Sequence, residues 1–346
     1  MKYEQYFDDW HDSGYDIKVS SFMDQSLWEI VYLKGYYFKK IIGVLKGHIR
    51  RLRDIFRISK YDVIYIHMWV TPYGSTIFER TFLKLANKVI FDLEDMPSIQ
   101  KINRKKLVNP ITQFIKNPKK QIYLIKNSNH VITSSPFANE KCMKINKYKA
   151  CTYITSSVDT NKFVPSQLKD PEESIVTVGW TGTFSSKPYL EEIEDILIAL
   201  AKTTKYKLHI ISNFNYSLEN VNLKVIKWTK EREVKDLQEF DIGLYPLPSN
   251  KWIEGKSGLK AIQYLAFGIP TVASNVGNTP NVIDHEINGI LVNKKDEWIK
   301  SLKKLINNPK LRIQMGENAR KKALNNYSLE VVSNSYAKVF KSIQDQ

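Results

Sequence analysis

Short β-branched runs alternate with helix-length segments from Ile17 to Val292, and this alternation leaves few folds open. The front half carries IKVSSF, DVIYIHM, KVIFDLED, HVITSS and CTYITSSV; the back half carries IVTVGW, YKLHIIS, LKVIKW, FDIGLYPL, TVAS and GILV. Strands separated by helices pair in parallel and are covered by helices on both faces. The expected fold class is therefore α/β, with each half a doubly wound, Rossmann-like sheet. The 346 residues suit two such domains. A polar stretch with two prolines at 161–174 is read as the linker. The boundaries read are 1–165, 172–326, and a final segment 327–346. In sheets of this type ligands bind beyond the carboxyl ends of the strands, so the chemistry is expected in the βα loops. The chain opens inside a helix read over Tyr3 to Ser13, so the N-terminal domain is read as lacking its first strand.

Apolar residues at 42% and charged residues at 25% describe a folded chain, which excludes a disordered or fibrous class. The opening residues MKYEQYFDDWHDSGYD are too polar for a signal peptide, and no uncharged run of about 18 apolar residues occurs. The chain is read as cytoplasmic. Cys142 and Cys151 fit a reducing compartment and are read as packing residues, with no metal site. The net charge of +16 is uneven. Residues 1–150 hold 26 Lys/Arg against 14 Asp/Glu, or +12, and residues 151–346 hold 26 against 22, or +4. Between Leu33 and Lys60, aromatic and aliphatic residues interleave with Lys39, Lys40, Lys46, Arg50, Arg51, Arg53 and Arg57. That is the pattern of a basic amphipathic helix on an anionic membrane surface, and equally that of a surface helix whose apolar side packs in the core. A second basic run spans Lys101 to Lys126.

Two loops have the composition to hold a phosphate. In EGKSGLKAIQYLAFGIPTVAS, Ser257 is read as the cap of a helix in which Lys260 takes the third position, where a capping box would place an acid. With Lys256 just outside, two cations stand beside open backbone N–H groups, which suits a diphosphate better than an empty terminus. Gly255 and Gly258 allow close backbone approach. Gln263 lies one turn inside, within reach of a ribose. In the second loop a buried strand runs into Gly182, Thr183, Ser185, Ser186 and Lys187 before the next helix. Neither loop carries a dinucleotide or Walker fingerprint.

These segments resemble the retaining, nucleotide-sugar-dependent glycosyltransferases of family 4. The resemblance rests on VGWTGTFSSKPYLEEI, on FDIGLYPLPSNKWIEGKSGLKAIQYLAFGIPTVASNVGNTPNVIDHEINGILV and on NNPKLRIQMGENARKKALNNYSLE. It implies the GT-B fold, two Rossmann-like domains facing a cleft, with the donor in the C-terminal one and residues 327–346 crossing back to the first. A carboxylate-x7-carboxylate motif spans the helix in that family. Here its second position is Gln263, on the ribose, and its first falls on Gly255, with Glu254 one residue away. Lys256 and Lys260 resemble the diphosphate-binding cations, and Lys187 with the loop from Gly182 to Ser186 completes that side. Trp228, after LKVIKW, is placed either beside the base or in the core. In the front half, YDVIYIHMWVTPYG ends a strand on His67, either a candidate for the acceptor side of the cleft near the donor sugar or a satisfied histidine at a strand end, and KVIFDLED supplies Asp92, Glu94 and Asp95 for acceptor hydroxyls or for capping. Met68 and Trp69 stand where the related subgroup often has Arg-Glu.

The expectation is therefore transfer of a sugar from a nucleoside diphosphate sugar to an acceptor hydroxyl with retention, in surface polysaccharide or lipopolysaccharide assembly. His67, Lys256 and Lys260 are the catalytic candidates. The resemblance implies no cofactor and no metal, the charge being supplied by the lysines. The acceptor expected is a polysaccharide or a lipid-linked sugar at an anionic membrane. The alternatives are a degenerate, non-catalytic nucleotide-sugar binder and a basic anion or nucleic-acid binder. The sequence holds no recognised nucleic-acid reader motif.

Overall fold

The computed structural model describes residues 3–31, 33–94, 119–166, 175–250 and 252–345. Asp95, most of the second basic run and residues 167–174 of the linker lie outside the described residues. The chain divides into two compact units, Met1–Ile154 with Ser335–Gln346, and Thr155–Asn334.

The first unit contains α1 (Phe7–Asp12), α2 (Gln25–Ile30), α3 (Tyr37–Ile55), β1 (Val63–His67), α4 (Ile77–Leu85), β2 (Lys88–Leu93), α5 (Lys119–Asn127), β3 (His130–Thr133), α6 (Pro136–Ile145) and β4 (Cys151–Tyr153). Its four strands pair in parallel in the order β1-β2-β3-β4. Phe91, Leu93, Leu124, Ile125 and Val131 are fully buried in its core. Helix α6 starts where the sequence dictates: Ser135 accepts the Ala138 N–H, and Pro136 occupies the first turn.

The run IKVSSF forms no strand. Its β-branched residues lack a neighbouring ladder, Val19 is exposed, and its carbonyls are taken by α3. Arg51 Nη2 donates to Ser20 O at 2.8 Å, and Arg50 donates to Ser21 O. An extended segment whose backbone acceptors are satisfied by guanidiniums has no need of a sheet.

The second unit contains β5 (Thr177–Gly182), α7 (Lys187–Glu191), α8 (Glu194–Ala201), β6 (Lys207–Ser212), β7 (Leu223–Lys227), α9 (Glu233–Leu237), β8 (Ile242–Tyr245), α10 (Leu259–Ala266), β9 (Thr271–Ser274), α11 (Thr279–Val282), β10 (Gly289–Val292), α12 (Lys295–Ile306) and α13 (Pro309–Tyr327). Helix α14 (Leu329–Gln344) begins here, and its residues from Ser335 onward belong to the first unit. The six strands are parallel in the order β10-β9-β8-β5-β6-β7. Two separate buried clusters, one including Ile262, Leu265 and Phe240, the other Val178, Trp180 and Leu197, form its interior.

The division between units falls earlier than the position read at 165. Arg320 on α13 explains this: its guanidinium donates to Phe163 O at 2.6 Å and Thr160 O at 2.8 Å, and so ties that stretch to the second unit.

Candidate functional site

In the second sheet β5 is flanked by β8 and β6, so the strand order reverses at β5. The crevice at such a reversal, beyond the strand carboxyl ends, is where doubly wound sheets take ligands. The loop from β5 to α7 and the loop from β8 to α10 both open there, and they are the two loops singled out by composition.

The first loop is held by its own hydroxyls. Ser186 Oγ accepts the Thr183 N–H at 3.1 Å and donates to Thr183 O at 3.0 Å, while Thr183 and Ser185 hydroxyls meet at 2.9 Å. Asn213 Oδ1 accepts the Phe184 N–H at 2.9 Å. Gly182 is required for close approach: a Cβ there would stand 2.2 Å from the Trp180 ring and 2.6 Å from Ser186 Oγ. Lys187 turns along its own helix, pairing with Glu191 and lying over the Tyr216 ring at 5.8 Å.

The second loop delivers two cations to the same point. Lys260 Nζ donates to Ser186 Oγ at 3.1 Å and sits 4.9 Å from the centre of the buried Trp180 ring. Burial first, and the neighbouring Lys256 charge second, pull the Lys260 ammonium down to about 8. Lys256 lies 5.8 Å over the Trp252 ring. The cap differs from the sequence reading. Gly258, not Ser257, is the N-cap, in the left-handed region at φ +85°, with no side-chain cap. Lys260 is consequently the second helical residue, and Gly258 offers the first N–H groups of α10 no side-chain cap. Ser257 contributes its carbonyl, which accepts Asn278 Nδ2 at 2.7 Å.

Glu254 and Gly255 form a 3-10 turn, Ile253–Gly255, directly before this cap. Gly277 lies against that turn, where a Cβ would stand 2.6 Å from Ile253 O. Gln263 is half-buried on α10. Trp228 is exposed and follows β7, its indole N–H donating to Glu233 at 3.3 Å, so it is not a core tryptophan. A cavity lined by Val176, Thr203 and Asn307 lies at the amino ends of β5 and β6, the far end of the sheet from these loops.

In the first unit His67 ends β1, with its ring exposed. Its Nδ1 is 2.9 Å from Tyr3 OH and its Nε2 is 3.7 Å from Glu94 Oε2. Asp92 is opposite His67 in the β1–β2 register but is fully buried, accepting the hydroxyls of Tyr65 and, at 3.4 Å, Tyr336. That corrects its assignment: a fully buried carboxylate surrounded by the phenols of Tyr65, Tyr336 and Tyr3 neither meets an acceptor sugar nor caps a helix. Glu94 remains half-exposed beside His67.

Sequence reasoning missed Trp180, Tyr264 and Asn278 as parts of this site. Tyr264 OH accepts the Thr181 N–H at 3.0 Å, locking β5 to α10. In sequence Trp180 and Tyr264 read as core residues, which they also are. The one available signal was position: Trp180 lies two residues before Gly182, and Tyr264 one helical turn after Lys260.

With this geometry in place, comparison with known proteins is informative. The family described as Glycosyl transferases group 1 matches residues 195–322, a range that includes α10 and Lys260. An uncharacterized 41.2 kDa protein in the cps region of Klebsiella pneumoniae is 23% identical over 305 residues, 83% of this chain and 80% of that protein. An uncharacterized glycosyltransferase of Haemophilus influenzae is 29% identical over 198 residues, and the match spans about half of each chain, 52% and 53%. Among solved structures, sucrose-phosphate synthase from Thermosynechococcus elongatus superposes with a TM-score of 0.65 at 14% identity, covering 88% of this chain and 79% of that one. Anabaena Alr3699/HepE in complex with UDP gives 0.62 at 15% identity, covering 86% and 83%. The fold is that of the GT-B glycosyltransferases, two Rossmann-like α/β domains with parallel sheets. Within that fold, residues 195–322 resemble the group 1 glycosyltransferases.

Proposed function

We propose that this protein transfers a glycosyl group from a nucleoside diphosphate sugar to an acceptor hydroxyl, with retention of configuration, during assembly of a surface polysaccharide. The observation that carries the reading is the meeting of Lys260, Ser186 and Trp180 at the sheet reversal, with Lys256 close enough to depress the Lys260 ammonium. Two crowded cations beside an open helix N-terminus are costly in the empty site and favourable around a diphosphate. In transfer, negative charge grows on the departing diphosphate, and preorganised donors at that position lower the barrier. Gln263 is assigned to the ribose, Glu254 to the donor sugar, and His67 to the acceptor side. The lysines, not a metal, neutralise the diphosphate in this reading.

Two relatives support the chemistry. The Klebsiella protein lies in a cps region, and Anabaena HepE has been solved with UDP and with UDP-glucose. UDP is therefore the first nucleotide to test here. The experiment is a thermal-shift screen of UDP, GDP, ADP and CMP on wild type and on Lys256→Ala/Lys260→Ala. Ligand that binds only the native state raises its melting temperature. One nucleoside diphosphate should stabilise the wild type and not the variant; no stabilisation at millimolar concentration rejects the donor site. A second reading, a sugar-nucleotide binder without turnover, is favoured by Gly255 standing where the resembling family has its first carboxylate. Nucleotide stabilisation without release of nucleoside diphosphate from any sugar nucleotide would select it.

A further inference from the structure

Helix α3 is turned the wrong way for a core helix. Surface helices ordinarily bury their apolar stripe and expose their polar one. Here Gly47 and Arg51 face inward, with Gly43 beside them. A Cβ on Gly43 would stand 2.8 Å from Leu27, and one on Gly47 2.7 Å from Phe22 O. Arg51 is buried against Asp54, Ser20 and Val70 O. At 3.6 residues per turn the opposite face carries Phe38, Ile41, Ile42, Leu45, Ile49, Leu52 and Phe56. All seven are exposed, from 37% at Ile42 to 83% at Phe56. Lys39, Lys46, Arg53 and Arg57, also exposed, share one flank of that stripe, and the helix has no acid other than Asp54, which Arg51 holds.

We infer that α3 is a docking face for an anionic lipid bilayer, lying in the plane of the interface with its apolar stripe among the acyl chains and its cationic flank on the headgroups. A continuous apolar stripe nineteen residues long is far more than scattered surface hydrophobics. The bordering charge selects the occupant. A second copy of this chain would bring the same cations against themselves, whereas an anionic surface complements them. In sequence the stretch 101–106, with Lys101, Arg104, Lys105 and Lys106, carries charge of the same sign. The inference does not rest on the donor-site reading, because α3 and α10 belong to different units.

The test is flotation of the full chain with vesicles of phosphatidylcholine alone or with one-third phosphatidylglycerol. Wild type should float with the anionic vesicles and not the neutral ones, and binding should fall steeply as NaCl rises from roughly 0.1 to 0.5 M. Leu45→Ser/Ile49→Ser should weaken binding by about tenfold or more with melting temperature and UDP stabilisation unchanged. Lys39→Gln/Lys46→Gln, which leaves the stripe intact, should weaken it by about tenfold on anionic vesicles. Absence of flotation by wild type overturns the inference. So does a drop in melting temperature in the serine variant, which would mean the chain itself covers the stripe. Sedimentation showing a dimer that the serine variant dissociates would assign the face to a second copy. Salt-sensitive binding of random oligonucleotides without flotation would assign it to nucleic acid.

Discussion

Lys260 Nζ reaches Ser186 Oγ at 3.1 Å across 74 positions of sequence, joining the start of α10 to the loop after β5. The contact places a cation between a hydroxyl and the face of Trp180, with Lys256 nearby.

Burial of the Lys260 ammonium costs the fold stability. Its ammonium is held at about 8 against 10.5 for the free side chain, burial being the larger cause and Lys256 the smaller. Between those values the unfolded chain holds more protons than the folded one, so the cost of the buried charge is fully present below about pH 8 and is relieved as pH rises toward 10.5. Lys260→Met should raise the stability of the empty protein at pH 7, by on the order of 1–3 kcal/mol, and that gain should shrink above pH 8. The same variant should lose stabilisation by UDP. Urea titrations at pH 7 and pH 10 check the first statement and thermal shift the second. A variant less stable at pH 7 yet still stabilised by UDP would sink both.

Gly258 supplies a separate test of the same terminus. At φ +85° it caps α10, and an added Cβ would stand 3.1 Å from Val282. Left-handed backbone costs a residue with a Cβ about 1–2 kcal/mol. Gly258→Ala should lose that much in urea denaturation and weaken UDP binding severalfold, since the first N–H groups of the helix shift with the cap. An alanine variant matching wild type in both measurements would show that the cap geometry is not needed.

The sequence carried the strands and loops but not which way the helices face. Ten of the β-branched runs became strands because each had a neighbour to pair with. IKVSSF has the same composition and failed, because Arg50 and Arg51 reached its carbonyls first. Lys256, Lys260 and Ser186 were visible as residue types suited to a phosphate. Their meeting was not, since it depends on β5 lying beside β8. Periodicity marked α3 as amphipathic and is silent on which side meets the core. Asp92 was legible as an acid at a strand end, whereas its burial depends on Tyr336, which lies 244 residues away.

The N-terminal turn should matter to any chemistry at His67. Tyr3 OH lies 2.9 Å from Nδ1 of that ring, and the ring edges meet at a centroid distance of 4.9 Å. The phenol also hydrogen-bonds the Asp92 carboxylate; when its proton goes to Nδ1 the ring proton sits on Nε2, toward Glu94, and when it goes to Asp92 the Nδ1–H donates to the phenol oxygen. Tyr3→Phe should lower kcat by about tenfold and alter its pH dependence, with nucleotide stabilisation unchanged. A purely structural role for Tyr3 would lower the melting temperature and leave the shape of the pH profile intact.

The buried pair of Lys120 and Glu79 gives the largest expected stability effect. Both side chains are fully buried, with Nζ 3.4 Å from Oε1. Lys120 also donates to Thr71 O at 2.9 Å and Tyr73 O at 2.6 Å, so a single ammonium fixes the chain between β1 and α4. Burial pulls the Lys120 ammonium below its ordinary value, and Glu79 opposes that shift. Glu79 Oε2 has no hydrogen-bond partner among the described residues, while Oε1 accepts from the Thr71 N–H at 3.2 Å and the Thr71 hydroxyl at 3.3 Å. Lys120→Met leaves that carboxylate buried without its cation, at a cost of about 3–5 kcal/mol. Lys120→Met/Glu79→Leu removes both charges and should recover most of the loss, because well-packed apolar residues replace a buried pair at little net cost. Urea denaturation of the two single variants and the double variant gives the coupling directly. A Lys120→Met protein as stable as wild type, or a double variant no better than the single, would show that the pair is not what holds this loop.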